Sequence, residues 1–202
     1  MHFICTSPVL ADYLCEHEVV DYAHPLIQET IHHLRVPEAS PIEQISATFA
    51  FVRDTIPHSW DIQCKQITRK ASEVLQQKTG MCYAKAHLLA ALLRAQDIPT
   101  GFCYQRLMRG DTPESGYVIH GLNAVYVPSI QKWVRLDARG NKPGVQTEFS
   151  LEGERLAYSV HPALGEIDYS TIYAQPHPAT VKVLQEQTDC LYMLRHCLPD
   201  RL

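Results

Sequence analysis

Residues 82–96, CYAKAHLLAALLRAQ, constrain the fold more than any other stretch of the chain. Wound at about 3.6 residues per turn, they put Ala84, Leu88, Ala91, Leu92 and Ala95 on one side. Ala86, Leu89, Ala90 and Leu93 fill much of the other side, and only His87 with Arg94 makes a narrow polar stripe. A helix apolar nearly all round belongs at the centre of a molecule, with other elements packed around it. The rest of the chain has to wrap it.

The flanking segments supply suitable wrapping. Ser40-Pro41 is a helix start, with Ser at the N-cap and Pro at the first helical position. The helix expected over 41–55 carries Ile42, Ile45, Phe49 and Val52 on one stripe, the spacing of a core-facing amphipathic helix. A shorter helix is expected over 71–78, ended by Thr79-Gly80, and the central helix follows from Met81 or Cys82. Residues 101–108, 117–127 and 132–138 are rich in Val, Tyr, Trp and Phe and read as strands. The last two form a hairpin through Pro128, Ser129, Ile130 and Gln131. Residues 8–35 have mixed helical spacing interrupted by Pro25, and a final helical stretch is expected near 178–197. No repeat or linker divides the chain. These elements predict one α+β domain over 1–202, with its core at about 41–141 and extensions at 1–40 and 142–202.

Bulk features narrow the function. A net charge of -4 gives no electrostatic case for nucleic acid as a partner. No run of 18 apolar residues offers a membrane span. The start, MHFICTSPVLADYLCEHEVV, has no basic n-region and does not read as a secretory signal. The seven cysteines, at 5, 15, 64, 82, 103, 190 and 197, are odd in number, which fits free thiols in a reducing cytoplasm. Cys190, His196 and Cys197 match no common zinc spacing, so helical packing explains them better than a metal.

Cys82 differs from the other six. At the first turn of the central helix, unpaired N–H groups and the positive dipole end favour a thiolate, lowering the ordinary thiol pKa of about 8.5. The same N–H groups can receive the oxyanion of a tetrahedral intermediate. Gly80 is expected to allow a sharp turn and a close approach by substrate. Taken alone, a helix-start cysteine after glycine is still better read as a small core residue. A nucleophile needs an imidazole, and His87 points about 140 degrees away round the helix. The hairpin offers another. If Val127 opposes Lys132, then His120 opposes Arg139 and Leu122 opposes Asp137. His120 and Asp137 become diagonal neighbours on one face, and a slip of one residue would separate them.

That order of Cys, His and Asp resembles the transglutaminase-like superfamily of papain-type thiol enzymes. The matching stretches are ASEVLQQKTGMCYAKAHLLAALLRAQDIPTGF, IHGLNAVYV and WVRLDARGN, within about 45–141. The resemblance implies a Cys-bearing helix packed on an antiparallel sheet that carries the His and the Asp. It implies acyl-thioenzyme chemistry with Cys82 as nucleophile, His120 as acid and base, and Asp137 orienting His120, without metal or organic cofactor. It further implies a side-chain donor in the oxyanion hole, for which Trp60 and Gln63 in the upstream loop are candidates. The substrate would be a peptide, protein or small amide, with protease- or amidase-like hydrolysis favoured over acyl transfer to an amine. The competing reading is an inactive transglutaminase-like module that binds protein partners, against which the complete Cys, His and Asp set argues.

Overall fold

The computed structural model describes residues 2–35 and 37–202. At its centre lies helix α4 (Cys82–Arg94), every residue of which is buried. Helices α1 (Pro25–Leu34), α2 (Pro41–Thr55) and α3 (Ala71–Gln77) pack against it, as do two strands of a sheet. The sheet has four antiparallel strands in the order β4 (Lys132–Leu136), β3 (Tyr117–Val127), β2 (Thr100–Met108) and β5 (Ile167–Asp168). β1 (Ile4–Cys5) and β6 (Thr171–Ile172) form a separate parallel pair. Helices α5 (Pro178–Glu186) and α6 (Cys190–His196) follow. This is the α+β arrangement read from the sequence. Among the described residues, no helix is long and apolar enough to cross a membrane.

Local sequence explains where the helices begin. The Ser40 hydroxyl accepts the Glu43 N–H, and the Glu43 carboxylate accepts the Ser40 N–H at 2.8 Å, a reciprocal cap. Ile45, Phe49 and Val52 are buried as the stripe predicts, while Ile42 is only partly covered. Pro25 does not interrupt a helix. It opens α1, with His24 Nδ1 accepting the Leu26 N–H at 3.2 Å, and only a short 3-10 turn (Leu10–Leu14) precedes it. The single C-terminal helix expected over 178–197 is two, because Asp189 caps a new start by accepting the Leu191 and Tyr192 N–H groups.

Strand alternation divides the core. Ile119 and Val125 of β3 join the main cluster around α4, whereas Leu122 and Ala124 join Tyr13, Cys103 and Ile172 in a second cluster. Helix and sheet are tied at three places. A side chain at Gly121 would bring its Cβ within 2.8 Å of the Tyr83 ring, so glycine lets α4 lie close to β3 there. The Tyr83 hydroxyl donates to the Ile119 carbonyl at 2.5 Å, and Asn123 Nδ2 donates to the Ala86 carbonyl at 3.1 Å.

The polar stripe of α4 is buried as well. His87 Nδ1 meets the Arg69 carbonyl at 2.8 Å, and burial pushes its pKa down to about 4. Lys85, also fully buried, donates to the carbonyls of Ile56 and Arg53 at the end of α2, and burial pushes its pKa down to about 7. Arg94 donates to Thr100 O at 3.1 and 2.7 Å, to Cys15 O at 2.6 Å and to Ala174 O at 2.5 Å. One guanidinium thus ties the start of β2 to two segments remote in sequence. Arg94→Met strands these carbonyls in the interior, and a loss of about 3 kcal/mol or more is expected in urea denaturation. A variant within 1 kcal/mol of the parent would show that water replaces the guanidinium without cost.

Candidate active site

The hairpin register is the one assumed from sequence: Val127 opposes Lys132, and the ladder runs to Asn123 opposite Leu136. Regular pairing stops there, one step short of Asp137. His120 Nε2 and Asp137 Oδ2 are 2.7 Å apart and both side chains are buried. Asp137 is held further by the Arg139 N–H on Oδ1 and the Ala157 N–H on Oδ2, each at 3.0 Å. Burial opposes ionisation of Asp137, but the His120 charge and these three hydrogen bonds hold its pKa below the ordinary carboxylate value. Burial likewise disfavours the charged ring of His120. The Asp137 charge and hydrogen bond, joined by a hydrogen bond with Cys82, prevail and raise its pKa well above the ordinary value.

With Nε2 taken by Asp137, Nδ1 is the ring nitrogen left for a proton from Cys82, whose side chain lines the same cavity. His120 sits between Ile119, whose carbonyl accepts the Tyr83 hydroxyl, and Gly121, which leaves room for the Tyr83 ring, so Tyr83 ties the start of α4 to the strand that carries His120. The Tyr158 ring stands edge-on to His120, with centroids 5.1 Å apart.

Cys82 opens α4, and Met81 at the N-cap offers no side-chain acceptor to the first-turn N–H groups. Gly80 is not the sharp turn expected from sequence. The left-handed residue is Lys78, at φ 52°, and Gly80 instead pairs in parallel with His58. A side chain at Gly80 would press on Ala84, Lys85 and Thr68, at 3.3 to 3.4 Å, so close packing is its reason for being glycine.

The pairing with Gly80 brings in His58, two residues before Trp60 and absent from the residues expected at the site. Its Nδ1 accepts the Trp60 N–H at 3.2 Å, so the neutral ring carries its proton on Nε2. Burial, then the charge of Arg139, lowers its pKa to about 3 and keeps it neutral. Among the described residues, the hydrogen bond that the His58 ring makes is through Nδ1, which leaves Nε2–H for the cavity that the residue lines.

His58, Trp60, Cys82, His120 and Tyr158 line one cavity of about 710 Å³, within the usual range for small-ligand sites. Half of its wall comes from residues beyond 141, and none from residues 2–35 or 37–40. Of the two extensions, the C-terminal one therefore shapes the site. Trp60 is brought to the cavity and stacks beneath the Arg195 guanidinium, 5.2 Å from the ring centroid. Gln63 is not brought there. It sits exposed at φ 52°, its amide turned back to the Trp60 carbonyl at 2.5 Å. Cys190, His196 and Cys197 do not converge either: Cys190 is buried in the core and Cys197 faces Gln187. Among the described residues, no group of three or more His, Cys, Asp or Glu is placed to hold a metal ion.

The family model of the transglutaminase-like superfamily matches residues 28–138, taking in Cys82, His120 and Asp137. It starts earlier than the stretch recognised from sequence. No curated protein matches the chain. Among solved structures, a candidate cysteine protease from Cytophaga hutchinsonii superposes with a TM-score of 0.52 at 16% identity, over 66% of this chain and 43% of that one. The periplasmic domain of TgpA from Pseudomonas aeruginosa gives 0.44 at 19% identity, over 62% of this chain and 45% of that one. The chain thus spans less than half the length of these solved chains. The first likeness shows a common fold.

Proposed function

The chain belongs to the transglutaminase-like superfamily, and from that premise we propose that it is a thiol enzyme cleaving amide or peptide bonds through a Cys82 thioester. The observation that carries this reading is that Cys82 and His120 line one cavity, with the far nitrogen of His120 bonded to buried Asp137. In the proposed reaction, Cys82 gives its proton to His120 Nδ1 and its sulfur bonds to the carbonyl carbon. The carbonyl electron pair moves to oxygen, where the Cys82 N–H and His58 Nε2–H receive it. His120 returns the proton to the amine as the C–N bond breaks, leaving a thioester. Asp137 keeps the ring in the required tautomer and stabilises its charged form. Water, activated by His120, then releases the acid. The cavity is lined by Arg109 and Arg195, which have no carboxylate partner among the described residues and repel a protonated amine but not water, and this favours hydrolysis over transfer.

The proposed compartment is the cytoplasm, where seven unpaired cysteines stay reduced. The test is limiting iodoacetamide across pH, with the labelled cysteine mapped. Burial pushes the pKa of Cys103 far above the ordinary thiol value and that of Cys190 to about 11, so both should react slowly. Exposed Cys15 is the benchmark. Cys82 is expected to react ahead of Cys15 below about pH 7, and to lose that lead in His120→Ala. Equal reactivity of Cys82 and Cys15 in the parent protein would defeat the proposal.

A further inference from the structure

The charges around the Cys82 cavity are unlike those of the chain as a whole. The protein carries a net charge of -4, yet four cationic side chains line the cavity against one carboxylate, Glu166. That carboxylate is occupied within the protein: Oε1 accepts the Met108 N–H at 2.8 Å and Oε2 accepts the His161 N–H at 2.7 Å. Of the cations, Arg139 and Lys142 share Asp61. Arg109 and Arg195 have no carboxylate partner among the described residues, and both are held by neutral groups. Arg109 Nη1 donates to the carbonyls of Leu194 and Arg195 at the end of α6, and the Arg195 guanidinium lies over Trp60.

Fixed position and uncompensated charge are together what a carboxylate site needs. A guanidinium already paired with an acid would have to break that pair first, and a freely rotating one would lose side-chain entropy on binding. Carbonyl oxygens and an aromatic face orient these two exposed groups while leaving their positive charge available.

Resting on the proposed thiol chemistry, we propose that the preferred acyl donor carries a carboxylate beyond its scissile carbonyl, bound by Arg109 and Arg195. The substrate class is thus an anionic acyl group, such as an acidic residue or a dicarboxylic half-amide, whose acyl chain lies in the cavity while the amine departs.

Two esters test this: p-nitrophenyl adipate half-ester and p-nitrophenyl hexanoate, equal in acyl length and differing by a terminal carboxylate. In each case the Cys82 sulfur bonds to the carbonyl carbon, the ester C–O bond breaks and p-nitrophenolate leaves with its electron pair. The readout is the ratio of the two acylation rates, in which any general loss of competence cancels. The parent protein should favour the adipate ester by about tenfold or more at low salt, with the ratio falling as salt rises. In Arg195→Gln, and further in Arg109→Gln with Arg195→Gln, the ratio should approach one, whereas Arg195→Lys should retain part of it. A parent ratio of one or below overturns the proposal, and so does a ratio that survives the double substitution. If neither ester acylates Cys82, the thiol-acyl reading itself fails, and the substrate class with it.

Discussion

Asp137→Asn should slow acylation of Cys82 by about 10²- to 10³-fold, although it changes one atom and hardly any volume. Asp137 accepts three N–H groups, from His120, Arg139 and Ala157, within a fully buried setting. An amide has one acceptor atom. If its oxygen serves His120 and Ala157, its NH2 group faces the Arg139 N–H; if flipped, it faces His120 itself. Either way a buried donor loses its partner, and the charge that overrides the burial of His120 is gone. The imidazolium is then disfavoured.

The same pair makes a signed prediction for stability. His120 has a raised folded pKa, so its contribution is complete below the unfolded value of about 6.5 and is lost as pH rises through the folded value. Asp137 has a depressed folded pKa, so its contribution is complete above about 3.9 and is lost as pH falls through the folded value. Both are complete between about pH 4 and 6.5. Asp137→Asn should therefore cost most in that window, about 3–5 kcal/mol in chemical denaturation, and less on either side. A loss that does not vary with pH would mean that the pair is not ionised in the folded protein.

The parts legible in the sequence were those governed by periodicity. The all-round apolar pattern of 82–96 put α4 at the centre, and the four-residue turn set the Val127–Lys132 register that brings His120 to Asp137. Nothing periodic marks Lys85, whose ammonium is sheltered by carbonyls of another helix. At Gly80 the sequence suggests freedom of φ, but small size is the property that matters, because the close neighbours belong to Thr68 and to the following turn of α4. Trp60 and Gln63 are candidates by residue type in a loop, where sequence gives no direction for a side chain. The left-handed backbone at Gln63 turns it outward. His58 could have been singled out from Pro57-His58-Ser59-Trp60, since a His two residues before a backbone N–H can accept it and so fix its own tautomer. What sequence could not supply was the bridge to Gly80 that lays this segment beside the start of α4.

His58 is where that bridge acquires a chemical consequence. His58→Leu removes the Nε2–H but keeps a side chain able to fill much of the space, and acylation of Cys82 by p-nitrophenyl hexanoate should fall by about 10²- to 10³-fold. Alkylation by iodoacetamide displaces iodide at carbon and builds no oxyanion, so the ratio of acylation to alkylation should fall by nearly the whole amount. His58→Gln, which keeps a side-chain N–H, should recover part of that ratio. The acid limb of stability gives an independent check. His58 is depressed to about 3 in the folded protein, so its unfolded form binds the proton more readily. The stability associated with the neutral ring is complete above about pH 6.5 and lost as pH falls towards 3. His58→Leu should flatten that acid limb while lowering the acylation ratio. If acylation and alkylation fall together, His58 acts on the Cys82–His120 pair rather than on the oxyanion. If neither falls, the helix N-terminus suffices, and the neutral imidazole is held there only by the packing of the 57–60 segment on Gly80.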